Sequence, residues 1–149
     1  MNTQAAIVTS SKPSNPKDAI GIAKVPISCV PAGVLAEVSV AMLEGALKYG
    51  RHNYRAGGVR ASVYYDAALR HLMAWWEGED LDPDTNFCLH HVTKAIAGLT
   101  ILRDAMLTQT LEDDRPPKQQ IDYQQLNKLC AELRALHADK APHHFTNSN

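Results

Sequence analysis

The sequence predicts an all-α fold, a bundle of about four helices that a second subunit could complete. Three observations lead there. Apolar residues recur at helical spacing in four separate segments, glycine or proline punctuates the boundaries between them, and no strand-like alternation of useful length and no internal repeat is present. At 149 residues, with 15 Lys and Arg against 16 Asp and Glu, the chain fits one domain of ordinary size with a proper core. That near balance excludes nucleic-acid coating by bulk charge, and no direct DNA binding is expected.

Taken in order, residues 1–31 carry Pro13, Pro16, Pro26 and Pro31 among Ser and Asn, which favours an extended or looped arm over a helix. Residues 1–14 read as a flexible arm and 15–107 as the main domain. A first helix is expected over 32–49, "AGVLAEVSVAMLEGALKY", stopped by Gly50. After a loop at 50–60, a second helix at 61–77 packs Leu69, Leu72, Met73 and Trp76 and ends before Gly78. An acidic turn containing Pro83 leads to a third helix, about 86–106, in which Ala95, Ala97 and Gly98 would let another helix approach closely. Pro116 and Pro117 mark a linker at 108–119. Ile121, Leu126, Leu129, Leu133 and Leu136 then define an amphipathic fourth helix at 120–138, followed by a loose tail at 139–149.

Three scattered cysteines, Cys29, Cys88 and Cys130, form no C-x-x-C pair, so they suggest neither a disulfide framework nor a structural zinc site. They read as small buried hydrophobes in a reducing cytoplasm. No run reaches the ~18 apolar residues of a membrane span, and the first residues lack a signal-peptide core, so a cytoplasmic location is expected.

Candidate chemistry falls on the three helices and their connections. Glu37 and Glu44 are seven residues apart, on nearly one face of the first helix, with Lys48 a turn further. That face lines a cleft or, equally simply, is a solvated surface with an ordinary i,i+4 pair. On the second helix Asp66 and Arg70 form another such pair, Glu77 extends that face, and His71 projects beside it among Leu72, Trp75 and Trp76, where a structural role is as natural as a chemical one. Glu79, Asp80, Asp82 and Asp84 crowd the acidic turn, by default a solvated charge run. His90 and His91 open the third helix, and at most one of two adjacent residues can share a site with His71.

The segment "EGALKYGRHNYRAGGVR" at 44–60 is basic, aromatic and glycine-punctuated. Gly50, Gly57 and Gly58 let backbone approach a ligand, Arg51 and Arg55 can pair with phosphate oxygens, Tyr49 or Tyr54 can stack on a base, and Asn53 can read a base edge. It reads as a nucleotide-binding loop, with an exposed hinge as the simpler alternative. Carboxylates suit hard divalent cations, and a triphosphate completes their coordination. Phosphoryl chemistry is therefore the class to test.

Four stretches, "NPKDAIGIAKVPISCVP" (15–31), "EGALKYGRHNYR" (44–55), "YYDAALRHLMAWWEGEDLDPDTN" (64–86) and "HHVTKAIAGLTILRDA" (90–105), together resemble the phage dATP/dGTP diphosphohydrolase family of the MazZ type. The likeness runs from about 15 to 105, and the C-terminal region adds little to it. It implies hydrolysis of dGTP and dATP at the α–β phosphoanhydride to the monophosphate and pyrophosphate. In a phage-infected cell the dGMP would feed synthesis of the 2-aminoadenine (diaminopurine) nucleotide, while loss of dATP would keep adenine out of phage DNA. It also implies a MazG-like all-α fold, a homo-oligomer, and Mg²⁺ or Mn²⁺ at acidic helical residues.

The MazG pattern of E-x-x-E on one helix and E-x-x-D on a later one is absent in its mid-helix form. Glu37 and Glu44 are seven apart, and of the E-x-x-D matches Glu77 to Asp80 straddles Gly78 and Glu79 to Asp82 follows it in the turn. The positions carried over from the phage family's own motifs are Glu44, Lys48, Asn53, Asp66, Arg70, His71, Glu77, Asp82 and His91. The expectation is that Glu44, Asp66, Glu77 and Asp82 hold metal that activates a water, with Lys48, Arg51, Arg55 or Arg70 offsetting phosphate charge. His71 or His91 would be a ligand, a general base or an orienting group, and Glu44 completes the catalytic set. Two rivals stand beside this. An HD-type enzyme would release triphosphate but needs an adjacent His-Asp pair, and the chain has none. A non-catalytic nucleotide-binding or interaction module would need no metal.

Overall fold

The computed structural model describes residues 15–86 and 88–147. The chain divides into two compact units, one ending at Asp114 and the other beginning at Arg115. Among the described residues there are six α-helices and one pair of two-residue strands, so the chain is mostly helical. The flexible arm expected at 1–14 lies outside the described residues.

In the first unit, α1 spans Pro16–Ile22 and a 3₁₀ turn spans Ile27–Cys29, where the prolines had suggested an extended or looped arm. The physical reason is position: Pro16 is the first helical residue, where its missing N–H costs nothing, and the Asn15 side chain accepts from the Lys17 amide at 3.1 Å. The main helices follow: α2 at Ala32–Tyr49, α4 at Ala61–Trp76 and α5 at His91–Thr108. Short α3 at Asn53–Gly57 occupies the middle of the expected loop. Gly50 (φ 91°) stops α2, its amide bonded to Ala46 O at 2.9 Å. Gly78 (φ 98°) ends α4, with the Glu79 amide reaching Ala74 O at 3.0 Å.

Helix α5 is the element on which the others pack: α4, α2 and α3 all lie against it. Ala95 (2% exposed), Ala97 and Ala105 (0%) are buried there and Gly98 is half-buried, so of the small residues expected to permit close approach the two alanines lie in the packed interior. One buried cluster joins Val38 and Ala41 of α2 to Leu89 and Ala97; another joins Tyr54, Val59 and Ala105, with Met42, Tyr64, Ile101 and Leu111 against it. On α4 the buried residues are Ala61 and Ala68, not the large ones expected. Leu69 and Leu72 sit at the edge of exposure, and Met73 and Trp76 (77%) are open to solvent, while α4 packs on α5 with its alanines buried. The three cysteines are likewise exposed rather than buried.

Strand β1 at Val59–Arg60 pairs in parallel with β2 at Leu111–Glu112, closing the first unit after α5, in the stretch where a linker was expected. Two residues give no alternation to read. Ser62 and Asp114 fasten the same corner, the Ser62 amide donating to Asp114 Oδ1 at 2.8 Å. The second unit contains α6 at Tyr123–Leu136, capped by Asp122, whose side chain accepts from the Gln125 amide at 2.9 Å. Its Leu126, Leu129 and Leu133 recur on one face and are exposed. No helix among the described residues is long and apolar enough to cross a membrane.

Gly58 enters β1 with φ 74°, and a Cβ there would stand 2.8 Å from the Thr110 carbonyl oxygen, itself the acceptor of the Val59 amide. Gly58→Ala is therefore expected to destabilise the first unit by about 1–3 kcal/mol, the range for a residue forced into a sparse backbone region, read as a lower midpoint in urea unfolding.

Candidate active site

The centre of the site is assembled at the start of α5. An antiparallel bridge between Leu81 and His90 folds the acidic turn back on itself, with the Asp82 amide donating to Leu89 O at 2.8 Å and the His91 amide to Asp80 O at 3.0 Å. That closure sets Asp82 beside His91, the first residue of α5. Asp82 also begins a 3₁₀ turn at Pro83–Thr85, its Oδ1 accepting the Asp84 amide at 3.0 Å. From α4, His71 reaches the same point.

His71, Asp82 and His91 thus each offer a ligand atom within 4.8 Å of the others. Asp82 and His91 are buried, at 4% and 5% exposure, and His71 is half-buried. The two imidazoles meet Nδ1 to Nδ1 at 2.8 Å, a contact that requires a hydrogen on one nitrogen and a lone pair on the other. His91 Nε2 is buried without a hydrogen bond; Glu79 Oε2 lies 3.4 Å away, close enough for charge attraction but outside hydrogen-bond geometry. Converging imidazole and carboxylate donors, with one ring nitrogen left unsatisfied, fit a divalent cation.

Lys94, one turn into α5, links this group to α2. Its ammonium donates to Asp82 Oδ2 and lies 3.3 Å from Glu44 Oε2, while Glu44 Oε1 accepts from Lys48. Further along the same face of α2, Glu37 Oε2 accepts from Thr93 Oγ1 at 2.9 Å. Glu37 and Glu44 therefore both turn toward α5. Burial pushes the Glu44 carboxyl up, but the hydrogen bonds and charges of Lys48 and Lys94 outweigh it and hold Glu44 below the ordinary range. Asp82 behaves the same way: burial raises it, and Lys94 with the Asp84 amide brings it below its ordinary value. His71 is lowered, first by burial and then by the Lys94 charge, with Asp82 opposing only in part. The centre thus holds ionised carboxylates beside a neutral His71.

A cleft of about 600 Å³ opens between α2, α3, α4 and α5, within the size range of small-molecule sites. Glu44, Lys48, Tyr49, Arg51, Asn53 and Tyr54 all line it, and His71 and Lys94 are where it meets the donor group. Of these, Tyr54 is buried and also belongs to the cluster with Val59 and Ala105. The other expected residues lie elsewhere. Arg55 is held by Asp104 in a two-pronged pair, Nε to Oδ2 at 2.6 Å and Nη2 to Oδ1 at 2.7 Å. Asp66, Arg70 and Glu77 are exposed and are not among the gathered donors. Of the carboxylates expected to bind metal, Asp82 joins the group, and the remaining donors are the two histidines. Lys94 and Thr93 are members of this site that nothing in the sequence singles out, because a lysine or threonine on a helix is ordinarily a solvated residue.

With the fold and this geometry in view, the comparison with protein families is decisive. A family model described as dATP/dGTP diphosphohydrolase, N-terminal, matches residues 14–115, well over half of the chain. The chain belongs to this family. The matched residues include the whole donor group and the cleft, and the family's description names hydrolysis of purine deoxynucleoside triphosphates. No curated protein and no solved structure gave a significant match.

Because His71, Glu44 and Asp82 all have lowered pKa values in the folded chain, the unfolded chain binds more protons on acidification. Stability of the metal-free protein is thus full above about pH 6.5, falls first as the pH drops below the ordinary histidine value of 6.5, and falls again at acid pH as Glu44 and Asp82 protonate. Melting temperatures from pH 8 to 4 check this, and His71→Gln should flatten the upper part of the curve.

Proposed function

We propose that the chain hydrolyses dGTP and dATP at the α–β phosphoanhydride, releasing the deoxynucleoside monophosphate and pyrophosphate, with Mg²⁺ or Mn²⁺ held by His71, Asp82 and His91. The observation that carries this reading is the junction of a cation-lined cleft with a buried donor group, in a chain of the dATP/dGTP diphosphohydrolase family. When bound, the metal would polarise a phosphate oxygen and acidify a coordinated water.

The chain's own residues prepare that reaction. Lys48 and Arg51 line the cleft where phosphate oxygens would lie and can donate to them. Tyr49 offers an exposed ring for a base and Asn53 an amide for its edge. His71, kept neutral by its surroundings, presents a lone pair for metal or for a water proton, and Glu44, kept ionised, can accept that proton only if it exchanges Lys48 or Lys94 as partner. Arg55 would reach substrate only by leaving Asp104, and exposed Asp66, Arg70 and Glu77 take no part within one chain.

In a phage-infected cell the reaction would supply dGMP for the 2-aminoadenine nucleotide and deplete dATP. A MazG-like relation and a homo-oligomer belong to the same proposal. In support of assembly, no large side chain among the described residues is fully buried, while Leu43, Leu47, Met73 and Trp76 are exposed, an apolar surface that a second copy would cover.

A second reading, release of intact triphosphate as in HD-type enzymes, draws on one observation: the donor set mixes two imidazoles with a carboxylate rather than using carboxylates alone. Incubating the protein with dGTP and Mn²⁺ or Mg²⁺ and separating the products decides between them. The expected products are dGMP and pyrophosphate; deoxyguanosine with triphosphate would establish the second reading, and no product from either purine nucleotide would sink both. Asp82→Asn is expected to lower turnover by more than the ~10–100-fold that losing an outer partner of a metal ligand costs, with helical circular dichroism retained.

A further inference from the structure

The Lys94 ammonium is set between two carboxylates from different elements, Glu44 of α2 and Asp82 of the acidic turn. Its side chain is 15% exposed and Asp82's 5%, so the pair is largely withdrawn from water. Lys94 also lines the cleft, so its charge stands between the donor group and the space for a substrate. Carboxylates converging on one point are the oxygen donors with which a phosphate-cleaving site that uses a pair of metal ions would hold one of them. Here that point is taken by a nitrogen of the chain.

Resting on the metal reading of His71, Asp82 and His91, we propose that Lys94 takes the place of a second metal ion, so that the site holds a single divalent cation beside a built-in ammonium. The argument is one of charge and space. Glu44 and Asp82 both stay ionised at this short range in a half-dry site only with a cation between them; without one, a carboxylate takes up a proton. A lysine supplies one that is covalently attached and does not depend on metal concentration. It leaves Asp82 one oxygen engaged with Lys94 and the other with the Asp84 amide, so a bound metal must share Asp82 with the ammonium. A second divalent ion between Glu44 and Asp82 would have to expel Lys94 against their joint attraction. Lys48, which pairs with Glu44 from the same helix, is about half exposed and lacks the Asp82 contact, so it cannot do the same work.

Counting bound metal tests this without recourse to activity. Mn²⁺ is titrated into the full-length protein without nucleotide, and free Mn²⁺ is followed by electron paramagnetic resonance. Wild type is expected to bind one ion per chain. Lys94→Met leaves the two carboxylates facing each other and is expected to bind two, whereas Lys94→Arg, which keeps the charge, is expected to bind one. If the Met variant fails to fold by circular dichroism, Lys94→Gln carries the same count. Two ions in wild type, or a single ion in the uncharged variants, would overturn the proposal for Lys94 while leaving the metal reading intact. No ion in wild type would instead overturn the metal reading and this inference with it.

Discussion

How closely α2 and α4 approach α5 governs everything at the site. Alanines at 95, 97 and 105 let neighbouring helices settle against α5 with almost no side chain between them. Only at that spacing can His71 on α4 touch His91 on α5, and only then can one lysine on α5 bond to Asp82 and still reach Glu44 on α2. Larger residues at those alanines would widen the gaps by ångströms, while hydrogen bonds and metal coordination tolerate only tenths.

The same economy leaves the interior thin. Its buried members are mostly alanine and valine, with Tyr54 and Leu89 the larger ones, and many Leu, Val and Trp side chains of α2 and α4 remain exposed. Close helix packing through small residues gives little apolar burial per residue, so the polar ties take on more of the task of fixing geometry. Those ties run between elements: Thr93 to Glu37, Lys94 to Glu44 and Asp82, Arg55 to Asp104, Ser62 to Asp114. Each joins residues distant in sequence, and the first two hold the carboxylate face of α2 against the start of α5.

Electrostatics then divides the roles of similar groups. Asp82 and Asp84 are two residues apart in one acidic run, yet Asp82 is buried, capped and paired with Lys94, while Asp84 is exposed. His90 and His91 are adjacent, yet only His91 turns inward to His71. Burial of a charge is tolerated where a partner of opposite sign is buried with it. A run that composition alone marks as solvated thus contains one member that is not.

The helical class, the bodies of α2, α4, α5 and α6 and the small residues of α5 are legible in the residues alone, because helical periodicity and glycine stops are local properties of the chain; the start of α5, expected near 86, falls at His91, since the Leu81–His90 bridge keeps the preceding residues out of the helix. The sequence also singled out His71, Asp82, the His90–His91 pair, Glu44, Lys48 and the loop that follows α2. Tertiary structure alone decided which of these meet. The pairing of β1 with β2, the inward turn of His91, the capture of Arg55 by Asp104 and the reach of Lys94 to Glu44 depend on contacts between segments 20 or more residues apart, and no local spacing encodes them. Asp66 and Glu77 show the converse: their residue type fits a metal ligand, but both are exposed and neither is among the gathered donors. Residue chemistry nominates ligands, and helix packing selects among them, because a site requires convergence in space and only the fold supplies it.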